Sequence, residues 1–253
     1  MHMKRKNILT FALAAVLILS LSISAYAGFQ RVATPQAAER VAKEQIEVWK
    51  DMGLLVPEVE FTGRDGRTDE IPEHDGGDKW YGRFFSHRFQ VQWWGDEKYS
   101  CCLQIDTLSG KIMQATVNAK ADETDEPVSD QGIEVEMASD PEHPETVTFY
   151  LYDNFDDIFP ADLTVDQFCS LLAEYWGFSG YTLAETVDSE YFDTPQAPVD
   201  PDSLLKDMPR DNLSNYYLTI FFEGDQEGAP MYLQLIQFPG YVTMNLGTGH
   251  AVG

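Results

Sequence analysis

Apolar residues recur at three- and four-residue steps in two stretches of the chain, and between them they alternate with polar ones. Ala38, Val41, Ala42, Ile46, Trp49 and Met52 form one stripe of a helix. Thr34-Pro35 is suited to start it, and Gly53 to end it. Phe168, Leu171, Leu172, Tyr175 and Trp176 form the second stripe. Thr164 with Gln167 makes a capping box ahead of it, and Gly177 stops it. Alternation takes over at Phe89, Val91 and Trp93, which interleave with Gln90 and Gln92. A turn at Gly95 to Lys98 leads into Tyr99–Asp106, and a second at Thr107 to Gly110 leads into Lys111–Val117. This predicts a three-strand meander. Ile133 to Met137 and Val147 to Leu151 read as a hairpin, and Tyr216 to Phe222, Met231 to Phe238 and Tyr241 to Leu246 as three more strands. Leu54 to Phe61 is expected to be a strand weakened by Pro57. Residues 62–79 and 188–215 are polar and rich in turn formers, and read as loops.

The order helix, polar loop, meander therefore occurs twice. The expected fold is α+β: two repeats of one helix packed on an antiparallel β-meander, with an extra hairpin opening the second. Residues 119–131 are acidic and carry almost nothing apolar, which places a linker between a first domain at 28–118 and a second at 132–253. The copies align without gaps from Tyr99–Asp106 to Phe238–Asn245, which sets Gly110 on Gly249. Asp106, Gly110, Asn245 and Gly249 are accordingly expected to be structural turn residues. An Asp or Asn side chain accepts turn N–H groups, and Gly tolerates positive φ.

The first 27 residues change the address. Lys4, Arg5 and Lys6 precede an apolar run from Ile8 to Ile23, and Ala25-Tyr26-Ala27 supplies a small-x-small cleavage pattern. Residues 1–27 read as a secretory signal peptide, which makes the mature chain secreted or extracytoplasmic, or membrane-anchored if the signal stays uncleaved. Cleavage would remove three basic and no acidic residues and take the formal charge from −25 to −28. Such a polyanion lacks the basic patches that nucleic acids and anionic membranes require, so neither is expected as a partner.

Three cysteines, Cys101, Cys102 and Cys169, are an odd set for a disulfide framework. Strand parity places Cys101 on the apolar face with Tyr99, Leu103 and Ile105, and Cys102 on the other. No C-x-x-C and no Cys/His cluster is present, so no zinc or redox motif is read.

Leu103-Gln-Ile-Asp106-Thr-Leu-Ser-Gly110-Lys111-Ile112 resembles the closing strand-turn-strand of PepSY-type domains, and the upstream amphipathic helix fits that family's plan. The resemblance covers about residues 34–118 and, more faintly, 162–253, where Asn245 replaces the Asp and His250 the Lys. The long loops depart from a compact family member. The resemblance implies a helix on an antiparallel sheet, an extracytoplasmic location, no known active site, and binding or inhibition of peptidases.

Candidate chemistry is sparse. His74 and His143 stand in acidic loops, His87 among aromatic strand positions, and His250 beside a turn, none at metal-ligand spacing. The runs Asp153-Asn154-Phe155-Asp156-Asp157 and Asp122-Glu-Thr-Asp125-Glu126 with Asp130 carry oxygen ligands for calcium but lack EF-hand order, and read as solvated loops. No Gly-rich phosphate loop and no G-x-S-x-G occurs. Trp80, Tyr81, Phe84, Phe85, Phe89, Trp93 and Tyr99 crowd one meander as core, whereas Trp94 shares the parity of Gln90 and Gln92. An outward Trp there is a peptide or glycan contact, or lies under a neighbouring domain. The expected function is a secreted, non-enzymatic binding or regulatory module with an unidentified protein or peptide partner. No catalytic residue, cofactor or metal is expected. A hydrolase with scattered residues and a cation-dependent envelope component are the alternatives.

Overall fold

Thr34 accepts a hydrogen bond from Ala37 N at 3.2 Å, and from that cap the chain winds into helix α1, Pro35–Met52. Gly53, in the left-handed region at φ 80°, ends it. The computed structural model describes residues 32–61, 67–71, 88–94, 97–122, 125, 127, 133–137, 145–183, 199–207, 215–223, 231–238 and 240–248, with residue 16 isolated; residues 67–71, 133–137, 145–147, 149, 215–217 and 248 are described by backbone alone. The rest of the signal segment, His74, His87, His143, His250, Gly249 and the cluster from Trp80 to Phe85 lie outside these residues.

The fold is α+β. After α1 come β1 (Arg67–Ile71), β2 (Arg88–Trp93), β3 (Tyr99–Asp106) and β4 (Ile112–Lys120). A hairpin of β5 (Ile133–Met137) and β6 (Glu145–Phe149) follows, paired antiparallel from Ile133↔Phe149 to Met137↔Glu145. Helix α2, Val165–Trp176, has the full capping box, with Thr164 accepting from Gln167 N and Gln167 Oε1 from Thr164 N. It ends at Gly177, φ 87°. Strands β7 (Gly180–Leu183), β8 (Asn215–Glu223), β9 (Met231–Phe238) and β10 (Tyr241–Thr248) close the chain.

Eight strands form one antiparallel sheet in the order β1-β2-β3-β4-β10-β9-β8-β7. The first half supplies one flank, the second half the other, and the last strand of each meets at the centre. There β4 and β10 pair from Tyr241↔Lys120 to Leu246↔Ala115. The acidic 119–131 stretch thus begins inside a central strand, and the sheet is continuous across the two halves. Their cores are continuous too. Trp49, Leu54 and Leu103 belong to the same buried cluster as Phe155, Phe168 and Leu233. Val56 N donates to Ile158 O at 3.0 Å, tying the end of α1 to the turn ahead of α2.

Several elements differ from the sequence reading. Leu54 to Phe61 forms turns and irregular backbone, yet Leu54, Leu55 and Val59 are buried, so the apolar content came from packing and not from a strand. β1 lies inside the expected polar loop, and β7 precedes the second one. Both are edge strands, ordered by a single neighbour each. Asn245 is not in a turn: it sits within β10 between Thr116 of β4 and Gln234 of β9. The turn that joins the last two strands is at Gly240, φ 80°. The gap-free alignment had set β3 against β10, whereas sheet position makes β9 the counterpart of β3.

Candidate functional site

Alternation sorts the long strands into a buried and an open side, broken by a register shift between β3 and β4 and by Thr243 of β10, which is buried on the open side. On β2, β3, β4, β9 and β10 the buried side holds Phe89, Val91, Trp93, Cys101, Leu103, Val117, Leu233, Leu235, Val242 and Met244. The buried stripes of α1 and α2 join that same cluster. The opposite face carries side chains of another kind. Gln92, Cys102, Thr116, Asn245 and Gln234 make one row across five adjacent strands. Ser100, Asn118, Thr243 and Ile236 make the next, and Gln90, Gln104 and Gln114 the row on the other side. None of these side chains is charged. Charged residues stand at the margins of these rows: the register of edge strand β1 sets Arg67 opposite Gln92 and Asp69 opposite Gln90, while Lys120, Glu223 and Arg88 opposite Asp106 lie at the other ends.

Neighbours within the rows are partly joined. Asn118 Nδ2 donates to Ser100 Oγ at 3.0 Å and Thr243 Oγ1 to Asn118 Oδ1 at 2.7 Å. Asn245 Nδ2 donates to Gln234 Oε1 at 3.2 Å. Trp94 is 45% exposed at one end of this face, with its Nε1 donating to Gln92 Oε1 at 3.1 Å. Phe221 and Phe238 are exposed on the same face, and Phe238 stacks on Tyr241 with ring centres 4.9 Å apart. Tyr232 lies opposite Gly247, and its ring occupies the space a side chain there would need: a Cβ on Gly247 would stand 2.7 Å from the Tyr232 hydroxyl oxygen and 2.8 Å from Cζ.

Cys101 is buried and Cys102 half-buried, and burial pushes both thiols up, with Gln92 Nε2 donating to Cys102 Sγ at 3.6 Å and partly opposing the shift there. Cys169 is on the buried side of α2 and its thiol is pushed up by the same cause, aided by the negative charge of Asp166.

The turn residues of the first half are a local device. Asp106 Oδ2 accepts from Ser109 N and Ser109 Oγ, both at 2.6 Å, and Gly110 N donates to Asp106 O at 2.9 Å. Gly110 has φ 69°. Val32 N donates to Thr107 O at 3.0 Å, so the turn also anchors the chain ahead of α1.

The two acidic runs come together, which their separation in sequence conceals. Carboxylate oxygens of Asp122, Asp125 and Asp157 lie within 4.8 Å of one another. Lys98 Nζ fills this cluster, 2.5 Å from Asp122 Oδ2 and 2.8 Å from Asp157 Oδ1. Burial alone would lower the Lys98 ammonium pKa, but the two carboxylate partners outweigh it and hold it above its ordinary range. Lys98 thus sets one positive charge against two of the three carboxylates.

A groove of about 650 Å³ runs beside α1, between Lys43, Glu47 and Lys50 on the helix and Val59, Phe61 and Trp93 opposite. Its walls are settled by internal contacts. Phe61 stacks on Trp93 at 6.0 Å, Lys43 Nζ sits 5.6 Å from the Trp93 ring centre and 3.1 Å from Glu39, and Lys50 pairs with Glu47 at 2.8 Å.

Among the described residues no helix is long and apolar enough to cross a membrane. No family model matches this chain, and no curated protein or solved structure matches it either.

Proposed function

We propose that the mature chain is an extracytoplasmic, non-enzymatic binding module whose binding surface is the face of the sheet opposite the two helices. One observation carries this reading: in a chain with 42 acidic residues, three neighbouring rows of that face are free of charge across the inner strands β2, β3, β4, β10 and β9, charge entering in register only at edge strand β1, while exposed aromatic rings stand around them. An antiparallel sheet often leaves one face to water, and a face that only needs solvation takes on charge freely. Uncharged amides, hydroxyls and aromatic rings are instead the groups that bind a neutral or weakly polar surface without an electrostatic cost. The signal peptide read in the first 27 residues supports the location.

The chain further reads as two copies of one unit, a Thr-capped, Gly-terminated helix followed by four antiparallel strands. Support comes from α1 with β1–β4 and α2 with β7–β10, and from their mirror-ordered places in the sheet. The PepSY-type resemblance supplies a helix-on-sheet plan for that unit, and a peptide or peptidase partner would follow from it.

Hydroxyl-radical footprinting of residues 28–253, with and without fractionated culture fluid, tests the binding reading. Protection of Trp94, Tyr232, Phe221 and Phe238, with exposed Leu108 unchanged, is the expected result. Turnover of a substrate that is lost on replacing one carboxylate or histidine would overturn it.

A further inference from the structure

We propose that the open sheet face binds a neutral, hydroxyl-rich glycan, with the Tyr232 ring and Trp94 as its aromatic contacts and the amide rows as its hydrogen-bonding floor. The inference rests on the binding-face reading and goes on to name the ligand class.

Charge decides first. A ligand carrying phosphate, sulfate or many carboxylates would meet no cation on the rows of β2, β3, β4, β10 and β9, Arg67 entering only on edge strand β1 opposite Gln92, and the chain's net charge of −25 would repel it. A basic ligand would find no carboxylate on those five strands' rows either, since Asp69 on edge strand β1, Asp106 and Glu223 stand at the margins. The complement of this face is neutral.

Hydrogen-bonding capacity decides next. Each Gln or Asn amide carries two donors and an oxygen that accepts twice, and each Thr or Ser hydroxyl both donates and accepts. The bonds Asn118–Ser100, Thr243–Asn118, Asn245–Gln234, Gln92–Cys102, Trp94–Gln92 and Arg88–Gln104, with Gln114 also engaged, use only part of that capacity. What remains is a mixed field of donors and acceptors, spread over five strands and about 19 Å at the usual inter-strand spacing. Sugar hydroxyls donate and accept in the same mixed way. A protein partner would instead favour a mainly apolar centre with a polar rim, and here the amides and hydroxyls hold the centre.

Gly247 supplies the third point. It needs no special backbone conformation: it lies in β10, and no left-handed φ is found there. Its missing Cβ instead leaves room for the Tyr232 ring to lie across the strand. The residue choice thus seats an aromatic ring over the sheet beside the amide rows. An aromatic ring laid over a strand offers its face to the C–H side of a pyranose, with neighbouring amides holding the ring hydroxyls. Trp94, exposed and oriented by Gln92, offers a second such contact at the far end of the rows.

The test uses residues 28–253 against a panel of insoluble neutral polysaccharides: cellulose, chitin, β-1,3-glucan, mannan and starch. Soluble oligosaccharides of any that retains the protein are then titrated calorimetrically. Retention by at least one is expected. Trp94→Ala and Tyr232→Ala should each weaken binding about tenfold or more, equivalent to about 1.4 kcal/mol. Gln234→Glu should weaken it through its new charge, and Leu108→Ala, on the β3–β4 turn, should leave it unchanged. Circular dichroism confirms that each variant is folded. Retention by none of the panel overturns the glycan assignment, as does binding indifferent to Trp94, Tyr232 and Gln234. If footprinting still shows this face protected by a proteinaceous fraction, the binding-face reading survives and only the ligand class fails. A dimer in sedimentation that Tyr232→Ala dissolves would give the face to a second copy and overturn the proposal.

Discussion

Asp106 holds its turn through one carboxylate oxygen that serves both the backbone and the side chain of Ser109. Asp106→Ala is expected to cost about 1 kcal/mol, the usual worth of such bonds at a solvated site. Asp106→Asn should change little, because the amide oxygen still accepts. That expectation now rests on the chemistry of the turn alone, since Asn245 proved to be a strand residue. Gly110→Val should cost about 1–3 kcal/mol, because a β-branched residue is forced to φ 69°. Denaturant melts of the three variants check the order, and an Asp106→Asn variant as unstable as Asp106→Ala would show that the negative charge matters. The cysteines give a second measurement at this scale. Burial raises the thiols of Cys101, Cys102 and Cys169 in the folded chain, so each binds its proton more tightly folded than unfolded. Their contribution is full below the ordinary thiol pKa of about 8.5 and is lost as pH rises above it. Iodoacetamide at pH 8 should modify Cys102 first and slowly, and Cys101 and Cys169 only with denaturant; rapid labelling of Cys101 in the native chain would contradict its burial. Strand parity alone had already separated Cys101 from Cys102.

Elements are joined by one buried hydroxyl. Tyr175 of α2 accepts from Ile112 N of β4 at 2.7 Å and donates to Gln45 of α1 at 2.8 Å. A register shift in the β3–β4 ladder sets Ile112 opposite Ile105 and Gln114 opposite Gln104, placing Ile112 N where the hydroxyl reaches it. Trp176 Nε1 takes the carbonyl of Ile112 at 2.9 Å, and Lys111 Nζ reaches the Tyr175 carbonyl. Tyr175→Phe removes one oxygen and leaves two buried polar groups short of a partner. The expected loss is about 1–3 kcal/mol with the secondary structure intact, read by chemical denaturation and far-ultraviolet circular dichroism. A loss below about 0.5 kcal/mol would mean that water replaces the hydroxyl. Nothing in the sequence announced this junction: Tyr175 was legible only as one residue of an apolar stripe. The helices themselves were fully legible, because caps, stripe and terminal Gly are encoded within one segment. β1 and β7 were not. Arg67–Ile71 has a single apolar residue and Gly180–Leu183 is four residues long, so each owes its strand state to the neighbour it pairs with. Trp94 and the glutamines of β2 were legible from alternation, but Tyr232 over Gly247 and the rows through Thr116 and Asn245 required the register of five strands.

At the scale of the whole molecule the β4–β10 seam governs how the chain melts. A linker at 119–131 between two closed domains would allow each to unfold alone. Here the central strands of the sheet come one from each half, and Gly240 O accepts from Ala121 N at 3.0 Å beyond the last paired rung. Lys98, in the first half, closes on Asp157 in the second. Separating the halves would bare the full edges of β4 and β10, together with apolar surface on Val117, Ala119, Val242 and Met244, all now buried. Unpaired central edges and open cores are costly and aggregation-prone. Residues 28–253 should therefore unfold in one calorimetric transition, with calorimetric and van't Hoff enthalpies equal. Residues 28–131 and 132–253 expressed apart should each lack a cooperative melt, and mixing the two should restore one. Two resolved transitions in the intact chain, or a cooperative melt of either half alone, would show that the copies fold independently and that the seam merely docks them.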